Sequence, residues 1–181
     1  KRQSGFLTPE FGSSKNAGSS VSSPYFYIIS DNKDITLKPR LFDNNKFLVQ
    51  NEYRQKNENS LSILDFGLVS GHDSSVDDQG GTRSHVFTKT IMDLSLDKFE
   101  SSMLNIKFQK ASNDNYLKIF DITSPILPTN NSVLESIIEL DLEHQDYDLT
   151  TSFEMYETLK GSNSDRYQYV LPSYNFSKNF Y

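Results

Sequence analysis

In the stretch Ile138-Glu139-Leu140-Asp141-Leu142-Glu143, apolar and acidic residues alternate strictly. A period of two residues is that of a β-strand, which points successive side chains to opposite faces. A face that carries so many carboxylates cannot lie in a dry core, because buried charges without partners are costly. The acidic face must therefore meet water, either outside a soluble sheet or inside a wide barrel lumen.

Similar strand patterns, separated by turn clusters, recur along the chain. In one of them Leu64, Phe66 and Leu68 alternate with polar or small residues, and we expect these three side chains to point outward. We predict an all-β fold, an antiparallel meander of roughly nine strands at about 21–30, 34–42, 46–55, 60–69, 84–95, 99–111, 133–144, 147–159 and 166–177. A further short piece is predicted at 116–121, and loops are predicted at 1–20 and 70–83.

The composition excludes several classes of function. The chain of 181 residues carries a net charge of −6, so it lacks the basic character of a nucleic-acid-binding protein. It has no cysteine, which excludes thiol catalysis, cysteine-based zinc sites and disulfides within this segment. No apolar run is long enough for a transmembrane helix, but a spanning β-strand needs only about 9–11 residues and keeps the mean hydropathy low.

The chain carries no pattern that predicts catalysis. None of the histidines, His72, His85 and His144, has the spacing of a metal-ligand motif. The neighbouring Asp73 and Ser74 suggest a triad with His72, but an acidic loop explains the pattern better. The pair Asp77-Asp78 lacks the spacing of an EF-hand. We therefore predict no catalytic residue, no metal site and no cofactor, and expect that the protein is not an enzyme.

Two consecutive predicted strands each contain a proline, Pro24 and Pro39, fifteen positions apart. Proline lacks the N–H that a sheet ladder uses, so it is normally excluded from the interior of a strand. The simpler explanation is that each proline begins a strand or lies at an edge. The alternative is a seam between two strands that is held together weakly.

The opening of the chain resembles a known family. Residues 1–14, Lys-Arg-Gln-Ser-Gly-Phe-Leu-Thr-Pro-Glu-Phe-Gly-Ser-Ser, are similar to the start of the barrel in the lipopolysaccharide-assembly outer-membrane protein LptD, also called organic solvent tolerance protein. The family's next motifs match Pro24-Tyr25-Phe26, the segment 34–40 (Asp-Ile-Thr-Leu-Lys-Pro-Arg) and Glu52-Tyr53-Arg54. Later pieces, at 112–122, 134–136 and 166–172, resemble the alphaproteobacterial members of the family.

This resemblance implies an architecture and a function. Residues 1–20 would lead in from a periplasmic jelly-roll domain outside this chain, and residues 21–181 would form part of a large transmembrane β-barrel in the bacterial outer membrane. The barrel would insert lipopolysaccharide into the outer leaflet through a lateral gate, whose kinked first strands would carry Pro24, Tyr25, Pro39 and Arg40. The implied partners are lipopolysaccharide, an LptE-like plug lipoprotein, the periplasmic Lpt bridge and outer-membrane lipid.

Two alternatives stay open at the level of sequence. One is another outer-membrane barrel, such as a porin or receptor, and the other is a soluble β-sandwich binding module with its apolar faces packed into one core. A hydrolase using His72 has the least support. One difficulty also remains: if four strands precede residue 70, the loop 70–83 lies on the same side as the start of the chain, where barrel turns are usually short.

Overall fold

The computed structural model describes residues 2–14, 17–43, 45–72, 81–127, 132–160 and 165–178. Within them one antiparallel sheet contains twelve strands, and there is one short helix, α1, at Tyr116–Ile119. The strands are β1 (Gly5–Phe6), β2 (Glu10–Ser14), β3 (Gly18–Ser22), β4 (Tyr25–Ser30), β5 (Lys33–Phe42), β6 (Phe47–Lys56), β7 (Ser60–His72), β8 (Gly81–Asp93), β9 (Ser101–Ala111), β10 (Val133–His144), β11 (Tyr147–Thr158) and β12 (Tyr167–Lys178). In the part of the chain that the structure describes, no helix is long and apolar enough to cross a bilayer.

The sheet is a meander, because from β4 to β12 each strand pairs with the next one along the chain. The described part of β12 pairs only with β11, so the sheet is open. The nine predicted strands correspond to β4 through β12, and the prediction of an all-β antiparallel meander is confirmed. No second sheet packs on this one within the described ranges, which argues against the β-sandwich alternative.

The prediction of a loop over residues 1–20 was wrong. β2 pairs with β3, β3 pairs with β5, and β1 pairs with β4. The Gly, Ser and Thr residues of this segment favour a loop by composition, but backbone pairing with neighbouring strands overrides that preference. The short piece predicted after the 99–111 strand is likewise the helix α1 and not a strand.

Residues 73–80 of the predicted loop 70–83 lie outside the described residues, but the additional strands decide at which end of the sheet β7 ends and β8 begins. Arg2 lies at the end of the sheet where β4 turns into β5, since its guanidinium contacts the carbonyl oxygen of Asp31 and the carboxylate of Asp34. β1 and β2 together cross the sheet once before β3 begins. β7 therefore ends, and β8 begins, at the end opposite to Arg2. Five crossings of the sheet therefore end by residue 72, whereas the sequence predicted four.

One face of the sheet is covered by the connector, which we define as residues 112–127 between β9 and β10. The connector buries Tyr116, Leu117, Phe120, Ile122 and Ile126 against the sheet. The sheet residues in the same apolar core include Phe42, Leu48, Val69, Phe87 and Ala111. We call this side the covered face and the other side the open face.

Candidate functional site

The two prolines lie side by side across one seam of the sheet. The first strand of this seam is interrupted at Ser23 and Pro24, so that β3 and β4 are two halves of one strand. Both halves pair with β5 in a single register, with Ser22 opposite Arg40 and Tyr25 opposite Leu37. In that register Ser23 and Pro24 lie opposite Pro39 and Lys38. The ladder between this strand and β5 therefore breaks at the level of the prolines.

Pro39 removes a donor from the seam with β3 and β4. Phe42 N donates to Lys46 O (3.0 Å), and Lys56 N donates to Asn32 O (2.9 Å), so the even-numbered residues of β5 face β6. Backbone groups alternate between the two neighbours of a strand in an antiparallel sheet. The odd-numbered Pro39 therefore directs its nitrogen, which carries no hydrogen, toward Ser23.

Pro24 removes a donor from the other side of the same strand. Leu7 N donates to Pro24 O at 2.8 Å, so the backbone of Pro24 faces the neighbouring segment that contains β1. The reciprocal bond from Pro24 to Leu7 cannot form, because proline has no N–H. The interrupted strand is thus weakened on both sides, by a different proline at each seam.

Other features at this level agree with a weak seam. A third proline, Pro9, lies in the gap between β1 and β2, fifteen positions before Pro24. The hydroxyl of Ser22, beside the break, is buried and has no hydrogen-bond partner among the described residues. As the first predicted strand, the segment 21–30 would form the open edge of the sheet, but β1 and β2 pair along its outer side.

The flanking site residues, Tyr25 and Arg40, have specific contacts. The ring of Tyr25 packs edge-on against Phe6, with ring centroids 5.0 Å apart. Arg40 Nη1 donates to the carbonyl oxygen of Phe120 at 3.0 Å, and its Nη2 lies 3.9 Å from Glu10 Oε2. Arg40 therefore links the seam both to the connector and to β2. Sequence reasoning selected these residues from motifs and gave no hint of the connector contact.

The open face is apolar, as the alternation predicted. Phe66 is 39% exposed, Leu68 is 51% exposed and Ile138 is 52% exposed. Asp65, which directly precedes Phe66, is fully buried on the covered face. Leu140 pairs with Leu104, and Glu139 approaches Asn105 on the opposite face (3.5 Å between Oε1 and Nδ2). The acidic residues of β10 therefore share the connector's side of the sheet.

The covered face holds a buried polar cluster that the sequence analysis did not identify. Gln50 Nε2 donates to Asp65 Oδ1 and Oδ2 (3.1 and 3.0 Å) and to the carbonyl oxygen of Thr123 (2.9 Å). His85 Nε2 lies 3.2 Å from Asp65 Oδ1, and His85 Nδ1 lies 3.0 Å from the hydroxyl of Tyr116. Both ring nitrogens of His85 are satisfied when Nε2–H donates to Asp65 and the tyrosine hydroxyl donates to Nδ1.

The cluster fixes the connector to the wall of the sheet. Burial and, second, the negative charge of Asp65 raise the pKa of Tyr116, which keeps its hydroxyl protonated and able to donate. Gly67 provides the space for this arrangement, because a Cβ there would collide with the imidazole ring of His85. All four side chains of the cluster are buried and bonded to one another or to the connector, which indicates a structural role.

Charged residues elsewhere on the covered face form ladders across strands. Asp34, whose side chain is 6% exposed, accepts from Arg2 (2.7 Å) and Arg54 (2.8 Å). Lys107 on β9 likewise pairs with Glu135 on β10. The face is therefore polar and paired outside the area under the connector.

The described ranges contain no group of three His, Asp or Glu side chains close enough together to hold a metal ion. The residues Asp73, Ser74, Asp77 and Asp78, considered for a triad or a calcium site, lie outside the described residues, as does the side chain of His72. His85 is part of the buried cluster, and His144 stacks on Tyr147 with ring centroids 4.6 Å apart.

Comparison with known proteins gives one consistent result. No family model matches the chain. The chain is 26% identical to the LPS-assembly protein LptD of Nitrosococcus oceani over 90% of its length, and 27% identical to that of Shewanella oneidensis over 98%. A shorter stretch, 35% of the chain, is 39% identical to LptD of Ralstonia nicotianae.

The chain spans only 21% and 22% of the length of the first two relatives. The matches nevertheless cover nearly all of this chain, and they include the motif-bearing segments from which the resemblance was drawn. The family resemblance is thereby confirmed: this chain is similar, over almost its whole length, to one segment of the LPS-assembly protein LptD.

Proposed function

We propose that this chain is part of the wall of an outer-membrane barrel that inserts lipopolysaccharide into the outer leaflet, and that its first strands belong to a lateral gate. The name of its relatives, LPS-assembly protein, supports a role in lipopolysaccharide assembly. The apolar open face supports contact with outer-membrane lipid, and the charged covered face supports a water-filled lumen. In this role the chain is a transport component and not an enzyme.

The orientation follows from the two ends of the sheet. The connections at the Arg2 end, residues 31–32, 57–59, 94–100 and 145–146, have at most seven residues, whereas β9 and β10 are separated by residues 112–132 at the other end. Outer-membrane barrels have short periplasmic turns and longer extracellular loops. We therefore assign the Arg2 end to the periplasm, which is also where a preceding periplasmic domain and the periplasmic Lpt bridge would join. The connector then lies toward the cell exterior, within reach of an LptE-like plug lipoprotein in the lumen.

The observation that carries the gate proposal is the loss of a backbone donor on both sides of one strand. A closed barrel has no free edge, so an amphiphile can leave it sideways only where a seam opens. Each ladder bond that is absent lowers the cost of opening by about 1 kcal/mol. Pro24 and Pro39 each remove one such bond at the same level of the sheet. Tyr25 and Arg40, next to them, are the side chains that would move with the strands.

The test is the double variant Pro24→Ala/Pro39→Ala in the full-length protein. Alanine restores one N–H donor at each of the two seams of the interrupted strand, so these seams should open less readily, and cell-surface lipopolysaccharide should fall several-fold while barrel levels stay normal. The matched control is Pro172→Ala, since Pro172 also lies inside a strand, β12, but far along the sheet from this seam. Normal export in the double variant, with normal barrel levels, would refute a gate at these prolines.

A further inference from the structure

The segment before the proline seam pairs with it in two unequal halves. β2 is joined to β3 by five residue pairs, from Glu10–Ser22 to Ser14–Gly18. β1 is joined to β4 by only two residue pairs, Gly5–Phe26 and Phe6–Tyr25. Between the halves, the first strand uses three residues, 7–9, where its neighbour uses two, so the register changes by one.

This irregular gap has the properties of a hinge. It contains Pro9, and it faces Pro24, so neither residue can complete the ladder across it. Leu7 N still bonds to Pro24 O at 2.8 Å, but the return bond is absent. An extra residue that interrupts a ladder bends the strand locally. The two halves can therefore move separately.

Residues 2–6, which we call the latch, are held mainly by polar contacts at the Arg2 end. Arg2 Nη1 bonds to Asp34 Oδ2 at 2.7 Å, and the backbone N of Ile28 donates to Ser4 Oγ at 2.9 Å. The latch buries little apolar surface, since Phe6 is 76% exposed. Its side-chain anchors at this end are thus the hydroxyl of Ser4 and the guanidinium of Arg2, which is half exposed and also contacts the carbonyl oxygen of Asp31.

Asp34 has a second ion-pair partner besides the arginine of the latch. Its carboxylate is nearly buried, and a buried carboxylate without a partner is strongly unfavourable. Arg54, on β6, bonds to the second oxygen of Asp34 at 2.8 Å and does not belong to the latch. When Arg2 leaves, Asp34 keeps this partner, so release of the latch does not leave a buried carboxylate unpaired.

We propose that the latch is a releasable cover on the outer edge of β4. In the closed state it pairs with β4 and is pinned by Arg2 to Asp34. It peels away about residues 7–9, while β2 stays paired with β3, and so exposes the backbone edge of Tyr25–Ser30 at the Arg2 end. This inference rests on the proposed function, because the uncovered edge belongs to the strand that we assign to the gate.

Disulfide locking in the full-length protein tests the latch. The variant Gly5→Cys/Phe26→Cys joins a registered pair of β1 and β4, and antiparallel partners lie at a separation that a disulfide can span. The chain has no cysteine of its own to compete. We expect the oxidised variant to reduce lipopolysaccharide export at least fivefold, with recovery on reduction and near-normal export in each single variant.

The matched control is Phe11→Cys/Val21→Cys, a registered pair of β2 and β3, which the proposal keeps together. Its disulfide should leave export unchanged. Normal export with the β1–β4 lock would overturn the latch, and so would equal inhibition by both locks. The Pro24→Ala/Pro39→Ala variant is measured in parallel: if it alone is defective, the gate stands without the latch, and if it exports normally while the β1–β4 lock inhibits, the latch stands without the proposed role of the prolines.

Discussion

The imidazole of His85 lies 3.2 Å from the carboxylate of Asp65, and neither side chain is exposed to solvent. These two residues come from neighbouring strands, β7 and β8, and the connector closes over them through Tyr116. A buried carboxylate needs donors, and here Gln50 and His85 supply them. The pair therefore joins the sheet to the connector that packs on its covered face.

Replacing His85 should destabilise the protein. The variant His85→Phe keeps an aromatic ring that can stack on Phe87 (ring centroids 4.6 Å apart) but removes the hydrogen bonds to the Asp65 carboxylate and the Tyr116 hydroxyl. A hydrogen bond to a charged group contributes about 1.5–3 kcal/mol. We expect the free energy of unfolding, measured by denaturant titration of the full-length protein in lipid vesicles, to fall by that amount.

The control for this prediction is His144→Phe, because the side chain of His144 is 31% exposed and its nearest carboxylate, that of Asp146, is a surface group. This change should alter stability by less than about 1 kcal/mol, the usual range for exposed pairs. Equal losses in the two variants would show that the buried cluster makes no special contribution.

Gly67 should not tolerate a side chain. In Gly67→Ala the new methyl group meets the imidazole of His85, which is itself fixed between Asp65 and Tyr116 and cannot move aside. Overpacking of a close-packed interior costs about 1–3 kcal/mol. The denaturation midpoint should fall accordingly, whereas Gly5→Ala, with no atom within 4 Å of the new Cβ, should keep the wild-type midpoint.

Glu157 should anchor the far side of the connector. Its carboxylate accepts from Lys110 on β9 and from Arg166, and Arg166 also pairs with Asp114 of the connector at 2.6 Å. The variant Glu157→Gln keeps the shape but removes the charge, and loss of these charged hydrogen bonds should lower stability by about 2 kcal/mol. The same change at Glu154, whose partners Ser152 and Tyr156 lie on its own strand, is the control and should have little effect. Indistinguishable unfolding curves for the two variants would contradict the anchoring role.

A charged side chain on the open face should reduce assembly of the barrel. Leu140→Arg places a guanidinium on the face that we assign to lipid, and an arginine at the membrane midplane costs about 2–4 kcal/mol in a barrel. Assembly of the full-length protein into the outer membrane should decrease, as measured by the amount of heat-modifiable barrel in membranes. Asp141→Arg, one residue further on the covered face, should assemble normally. Normal assembly of Leu140→Arg would show that this face does not meet lipid.

The sequence by itself determined the nine strands from β4 to β12, but not β1, β2 and β3. The alternation over residues 64–68 of β7 and 138–143 of β10 indicates one apolar and one polar face there, because a β-strand has a period of two. It also determined that Pro24 and Pro39 each leave a strand without a donor, because proline has no N–H in any fold. These features are local, and a local pattern does not depend on what the rest of the chain does.

Only the tertiary structure decided toward which neighbouring strand each proline nitrogen is directed and what packs on the covered face. The direction of Pro39 depends on the register with β6, and that of Pro24 depends on its pairing with residue Leu7, in a segment whose composition favours a loop. The cluster of Asp65, His85 and Tyr116 joins residues far apart in the chain, none of which is unusual alone. Register and long-range contacts arise from the pairing of whole strands, and for that reason no single stretch of sequence specifies them.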